Sequence, residues 1–212
     1  EIGQASAEQA DKHSPDCVMI GVTIPIDAMV YTAFKVSGFP RERVIGMAGV
    51  LDSARYRTFL AMELGIAPRD VNAMVMGIHG DNMLPLVRLA NASGIPVTDL
   101  IPAERLAEIV KRTQQGGIEI VNHLKTGSAF YTPGLSAVEM AEAVLLDSKR
   151  LLPCAAYLEG EFGFSGCFLG VPVVLGSAGV ERIVEFELTD EEKEAMLVSE
   201  SAVRGQMAAT GL

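Results

Sequence analysis

The chain has 212 residues, enough to bury a full core and to form one or two domains. Its 49% hydrophobic and 21% charged content suits an ordinary globular enzyme, and no segment reaches the roughly 18 uninterrupted apolar residues a membrane span requires. A net charge of −10 disfavours a nucleic-acid or anionic-membrane partner, although one well-placed arginine can still hold a small anion.

The first thirteen residues begin at Glu1 rather than Met and read as the middle of a solvent-facing helix, so a natural start at Glu1 is not expected. They lack the basic-then-apolar run of a secretory signal. Cys17–Val22 is a continuous apolar run bounded by Pro15 and Pro25, as in a fully buried strand. Ile26–Val36 reads as a helix closed by Ser37-Gly38, and Arg43–Met47 as a second strand. A strand–helix–strand unit of this length implies a parallel crossover and an α/β architecture.

Ser53–Leu64 carries apolar residues at helical spacing, with Asp52 where an N-cap belongs and Gly65 as the stop. Val71–Gly77 reads as a strand running into His79, and Pro102–Gln115 as a helix ended by Gly116-Gly117. Thr126–Gly134 is loop-like and precedes a capping-box pattern at Ser136 and Glu139. The tail alternates strands over Pro153–Leu158, Cys167–Leu175 and Glu181–Phe186, an antiparallel pattern, and a second capping box at Thr189 and Glu192 opens the last helix. Cys17, Cys154 and Cys167 lie in apolar surroundings without paired spacing, which reads as core filler of a reduced, cytoplasmic protein.

Two short motifs carry the chemistry. Asp52 and Arg55 stand three apart at a helix head and so share a face. His79 stands between Ile78 and Gly80, with Gly77 just before. A carboxylate reaching the imidazole would fix its tautomer and favour imidazolium, which can give a proton to a carbonyl oxygen and recover it from a hydroxyl. The planar fork of Arg55 can hold a carboxylate through two parallel hydrogen bonds. A cap with a surface salt bridge and a turn histidine would produce the same spacing, so spacing alone leaves both readings open. Asp81 reads as a turn cap before a second site carboxylate. His13 and His123 give no H-x-H or H-E-x-x-H pattern, so no metal site is expected, and Ser128 lacks the context of a nucleophile. The sequence contains neither G-x-G-x-x-G nor G-x-x-x-x-G-K, hence no phosphate-cradling loop.

VSGFPRERVIGMAGVLDSARYR at 36–57, GIHGD at 77–81, KTGSAFYTPGLS at 125–136 and GVPVVLGSAGVERIVEFEL at 170–188 together resemble bacterial malate dehydrogenases of the lactate-dehydrogenase-like group. The resemblance runs from about Asp11 to Gln206. It implies an α/β fold in which residues 1–50 are the C-terminal remainder of an NAD-binding Rossmann domain and residues 51–212 the catalytic, substrate-binding domain. It further implies that His79 is the proton donor and acceptor, Asp52 its orienting carboxylate and Arg55 the substrate-carboxylate anchor. NAD is then the cofactor, a 2-hydroxy or 2-oxo dicarboxylate the substrate, and a homo-oligomer (dimer or tetramer) in the cytoplasm the expected form.

Three departures qualify the resemblance. Roughly the first third of a family member has no counterpart, and with it go the glycine-rich pyrophosphate loop, the ribose-binding acid and a mobile loop bearing two arginines. Where the family has V-T-N-P, contacting nicotinamide ribose and substrate, this chain has Val22-Thr23-Ile24-Pro25. Backbone groups of Val22, Thr23 and Ile24 remain able to line the cofactor, but the amide bonds at position 24 are lost. Ile78 also replaces a usual glycine, and its bulk is expected to crowd the site. The alternatives are L-lactate dehydrogenase and a non-catalytic, truncated homologue acting only in subunit assembly.

Overall fold

The computed structural model describes residues 2–212. Helix α1 (Ile2–His13) leads into strand β1 (Met19–Gly21), helix α2 (Ile26–Ser37) and strand β2 (Val44–Gly46). Strands β1 and β2 are parallel, pairing Met19 with Val44 and Gly21 with Gly46, which is the crossover expected from the spacing. Helix α3 (Gly49–Leu64) follows directly. The next segment holds five two-residue strands, β3 (Val71–Asn72), β4 (Val75–Met76), β5 (Leu84–Pro85), β6 (Asn91–Ala92) and β7 (Ile95–Pro96). Helices α4 (Val97–Leu100), α5 (Ala103–Gln114), α6 (Gly116–Leu124) and α7 (Tyr131–Leu145) come next. A long antiparallel hairpin of β8 (Arg150–Glu159) and β9 (Ser165–Gly176), then β10 (Gly179–Ile183) and helix α8 (Asp190–Ala208), complete the chain.

The main sheet has the order β1-β2-β8-β9-β10, so the parallel pair joins the antiparallel hairpin through Gly46 opposite Ala155. Its core gathers Ile45, Leu51, Leu158, Phe168, Leu169 and Val171, all nearly free of solvent. Phe34 of α2 stacks against Tyr157 with centroids 4.6 Å apart and meets Phe168 edge-on at 5.9 Å. Each such aromatic pair contributes about 0.5–1.5 kcal/mol beyond area burial and locks α2 onto the hairpin. A second core under α3 and α5 holds Tyr56, Leu60, Leu106 and Ile109. Helix α3 is wedged between the two cores: Val50 and Leu51 enter the first, Tyr56 and Leu60 the second. Its first five residues, Gly49 to Ser53, are therefore all buried, the polar Asp52 and Ser53 included.

Several boundaries differ from the pattern reading. Cys17–Val22 is not a fully buried strand. Only Met19–Gly21 pairs, the run is half-buried, and Val22 and Ile24 are 48% and 70% exposed, because β1 lies at the sheet edge with β2 on one side alone. Val71–Gly77 breaks into β3 and β4, which pair with different partners, since Met74 turns its carbonyl to the Leu86 N–H. The helix expected over Pro102–Gln115 is α5 (Ala103–Gln114), and the glycines Gly116-Gly117 that follow its end in turn open α6. Ser136 and Glu139 form no capping box: α7 begins at Tyr131, Ser136 is buried inside it, and Glu139 pairs with Arg150. Thr189 and Glu192 do form the box expected at the head of α8. Cys154 and Cys167 fill the main core as free thiols. Burial pushes the Cys167 thiol up to about 11 and Cys154 higher still, which leaves neither as a nucleophile at neutral pH. Among the described residues, no helix is long and apolar enough to cross a membrane.

Candidate active site

Both parallel strands deliver their following loops to one place, as open α/β sheets do at the carboxyl ends of their strands. After β2, Met47 donates to the Gly21 carbonyl and α3 starts at once, capped by Ala48. Asp52 is thus not the N-cap expected from the sequence. Its own N–H is bonded to the Ala48 carbonyl in ordinary helical fashion, which frees the side chain to enter the interior. There one oxygen, Oδ2, lies 2.7 Å from His79 Nδ1, and the other, Oδ1, accepts from Arg55 Nη1 at 3.3 Å. The side chain of Asp52 is 2% exposed, and those of His79 and Arg55 are each 12% exposed. The three residues singled out by spacing form one buried cluster.

The loop carrying His79 is held from four directions. Gly77 exchanges backbone hydrogen bonds with Gly170 of β9, at 2.8 and 2.9 Å. Ser199 of α8 accepts from the Ile78 N–H at 3.2 Å and donates to the Asn82 carbonyl at 2.6 Å. Asp27, in the first turn of α2, accepts from the His79 backbone N–H at 3.1 Å. Asp52 of α3 holds the ring. Gly77 has φ +82, and a Cβ there would fall on the Ser199 side chain, so this position requires glycine for both reasons. Ile78, next to His79, is 4% exposed and packs into the main core. Asp81 is exposed, and the turn is closed by the Met83 N–H on the Gly80 carbonyl instead of by its carboxylate.

The electrostatics favour a protonated imidazole. Burial, the largest single influence on His79, pulls its pKa down, but the hydrogen bond to Asp52 and the charges of Asp52 and Asp27 outweigh it and raise the pKa above the usual 6.5. With Nδ1 engaged by Asp52, Nε2 is the nitrogen left to exchange a proton with a ligand. Among the described residues Arg55 Nε is buried without a partner, and a Cβ on Gly116 would stand 3.2 Å from Arg55 Cδ, so the start of α6 leaves room for this guanidinium. A buried donor of this kind suits a carboxylate ligand, whose two oxygens match the fork.

Pattern reasoning missed two residues of this centre. Asp27 is fully buried, and burial raises its carboxyl from 3.8 to about 6, partly offset by the His79 N–H. The one local signal for it is an acid set among Ile26, Ala28, Met29 and Val30 just after a strand end. Ser199 carries no such signal within the charged sequence of α8. Val22, Thr23 and Ile24 lie in the exposed loop between β1 and α2, two or more residues ahead of Asp27.

A buried carboxylate–imidazole pair sharing its carboxylate with an arginine, on an α/β scaffold, is an arrangement able to give or take a proton at Nε2. Comparison with known proteins gives the family. Residues 49–210 match the model of the lactate/malate dehydrogenase α/β C-terminal domain. A malate dehydrogenase of Desulforudis audaxviator is 58% identical over 204 residues, covering 96% of this chain and 66% of that protein. The crystal structure of Cryptosporidium parvum malate dehydrogenase superposes with a TM-score of 0.97 at 44% identity, covering 100% of this chain and 69% of that one. A lactate dehydrogenase from Eimeria maxima, solved with NADH and oxamate, gives a TM-score of 0.96 at 39% identity, covering 99% of this chain and 65% of that one. The chain belongs to the lactate/malate dehydrogenase family. It spans 66% of the length of the Desulforudis relative.

Proposed function

We propose that this chain supplies the catalytic part of an NAD-dependent malate dehydrogenase that interconverts malate and oxaloacetate. The observation that carries the reading is the 2.7 Å contact of Asp52 with His79 Nδ1, with Arg55 on the other oxygen of the same carboxylate. In malate oxidation, neutral His79 takes the C2 hydroxyl proton on Nε2, and in oxaloacetate reduction the imidazolium returns it to the carbonyl oxygen. Asp52 holds the tautomer and stabilises the imidazolium, while Arg55 pins the C1 carboxylate through paired hydrogen bonds. On this reading NAD would be held at the loop of Val22, Thr23 and Ile24, where the exposed apolar side chains of Val22 and Ile24 offer a surface for a nicotinamide ring. When bound there, it supplies the acceptor or donor of the hydride at C2. Ile24 cannot make the amide hydrogen bonds that the family's asparagine makes, so position 24 contributes backbone and apolar contact alone.

On the same reading residues 1–50 are the remainder of the nucleotide-binding domain and residues 51–212 the catalytic domain. The family match from residue 49 onward supports that boundary. Malate is favoured over lactate because the 58% and 53% identical relatives are named malate dehydrogenases. A cytoplasmic homo-oligomer accords with three free thiols and with exposed Phe130, Tyr131, Leu135, Leu145 and Leu146 on and beside α7.

The test joins this chain to the third of the Desulforudis relative that it does not match, and follows NADH oxidation with oxaloacetate and with pyruvate. Oxaloacetate is turned over preferentially, and His79→Asn lowers kcat by about 10²–10⁴-fold. A loss of less than about tenfold in that variant excludes His79 as the proton carrier.

A further inference from the structure

We propose that Asp27 is a positioning residue for proton transfer: reaching from α2, its carboxylate pins the backbone of His79 and sets a second negative charge beside the imidazole. The inference rests on reading His79 as the proton carrier, and it adds a group that neither spacing nor that mechanism required.

The bond itself is long-range. Asp27 and His79 are 52 residues apart, yet Oδ2 of Asp27 accepts the His79 N–H at 3.1 Å. The ring and the backbone of one residue are therefore held by carboxylates from different helices, Asp52 on α3 and Asp27 on α2. Helix α2 is in turn fixed to the hairpin by Phe34 against Tyr157 and Phe168, so the position of Asp27 is set by the main core. A displacement of His79 along its backbone would move Nε2 relative to any ligand on Arg55, and alignment of that kind governs proton transfer.

The charge is a separate contribution. Among the described residues Oδ1 of Asp27 is buried without a hydrogen-bond partner, a costly state for a group whose task was only to accept one N–H. The groups facing His79 are Asp52 and Arg55 from α3 and Asp27 from α2. Those facing Asp27 are His79, Asp52 and, from β9, Cys167. Asp52 is already paired with Arg55, so the negative charge near the ring that lacks a guanidinium partner is that of Asp27. It stabilises the imidazolium in a site whose burial alone would favour neutral imidazole.

The experiment needs neither substrate nor dinucleotide. The chain has three histidines, His13, His79 and His123, whose ring resonances are followed by NMR against pH in the intact chain and in Asp27→Asn. The amide variant keeps an acceptor for the His79 N–H but removes the charge. The expected result is a His79 titration lowered by about one pH unit, a tenfold fall in the imidazolium-to-imidazole ratio at a fixed pH, with His13 and His123 unmoved. In the unmodified chain the Asp27 carboxyl carbon and the His79 backbone amide move together in one titration, a readout that stands even where the variant fails to fold. An unchanged His79 titration in folded Asp27→Asn overturns the proposal, as does a His79 amide that ignores the Asp27 carboxyl. If the shifts appear but the fused protein shows no dehydrogenase activity, the reading of function fails and the positioning role stands. If His79→Asn abolishes activity while Asp27→Asn leaves the titration in place, only the positioning role fails.

Discussion

Residues 77–82 are tied by hydrogen bonds to α2, α8 and β9 and by a buried ion pair to α3, whereas residues 22–25 leave an edge strand and stand exposed. The two are linked through α2, since Asp27, just past the second loop, holds the first. The contrast separates two tasks. The proton handling proposed for His79 would depend on groups that the chain itself buries and orients, whose charges act at low dielectric, where they are worth most. The loop assigned to the nicotinamide is exposed, with Val22 and Ile24 presenting apolar side chains to solvent. If that division is right, changes in the first loop register in stability and in pKa, and changes in the second only in binding.

The largest effect is expected at Asp52. Truncation to alanine leaves Arg55 and His79 in the interior without their shared carboxylate, and breaking a buried pair in this way costs about 3–5 kcal/mol. Urea unfolding measures this directly, and a loss under about 1 kcal/mol would place the pair effectively in solvent. Asp27 gives the next effect, and with the opposite sign. Its folded carboxyl stands at about 6 against an ordinary 3.8, so the folded state holds this proton more tightly. That contribution is full below about 3.8 and is lost as pH rises to about 6, an amount on the order of 3 kcal/mol. His79 has the same sign: its raised value makes its contribution complete below about 6.5 and lost as pH climbs through the folded value. Asp27→Asn removes the carboxyl's share, so relative to the parent it gains stability between pH 4 and 7. Paired urea midpoints across that range check it, and a constant difference between the two proteins contradicts it. Carboxylates held low elsewhere, such as Glu161 and Glu192, slope the other way but cancel in the comparison.

How far the sequence reveals each loop follows from the range of its contacts. The Asp52–Arg55 relation is local, one turn of helix, and the glycines around His79 announce a turn, so these three residues are legible from spacing and residue type. The antiparallel tail and the Thr189–Glu192 box are legible for the same reason. Asp27 and Ser199 act across 52 and 121 residues, and no periodicity encodes that. The box pattern at Ser136 and Glu139 misleads because a stronger start lies upstream. Pro133 fits the first turn of a helix beginning at Tyr131, where its missing N–H costs nothing. Asp52 resembles a cap because it stands just ahead of the helical spacing from Ser53, while tertiary burial extends the helix back to Gly49.

Ser199 sharpens the account of the first loop. It is buried and serves two backbone groups, the Ile78 N–H and the Asn82 carbonyl. Alanine leaves both unpaired, for which about 1–3 kcal/mol is expected, with faster hydrogen exchange at the Ile78 amide. Unchanged protection at that amide would show that β9 and α2 suffice to hold the loop.

The smallest stability effect, and the sharpest test of the contrast, belongs to Ile24→Asn. The side chain is 70% exposed, so the exchange should alter unfolding by no more than about 0.5 kcal/mol. The same change gives the loop a donor and an acceptor where the family resemblance places contacts to nicotinamide ribose and substrate. A hydrogen bond regained at a desolvated contact contributes about 1–3 kcal/mol, so NADH should bind the fused protein roughly 5- to 150-fold more tightly. Tighter binding with unchanged unfolding means that the second loop acts on the ligand and contributes almost nothing to the fold. Equal binding would mean that position 24 does not face the dinucleotide, and the assignment of residues 22–24 to its site would fall with it.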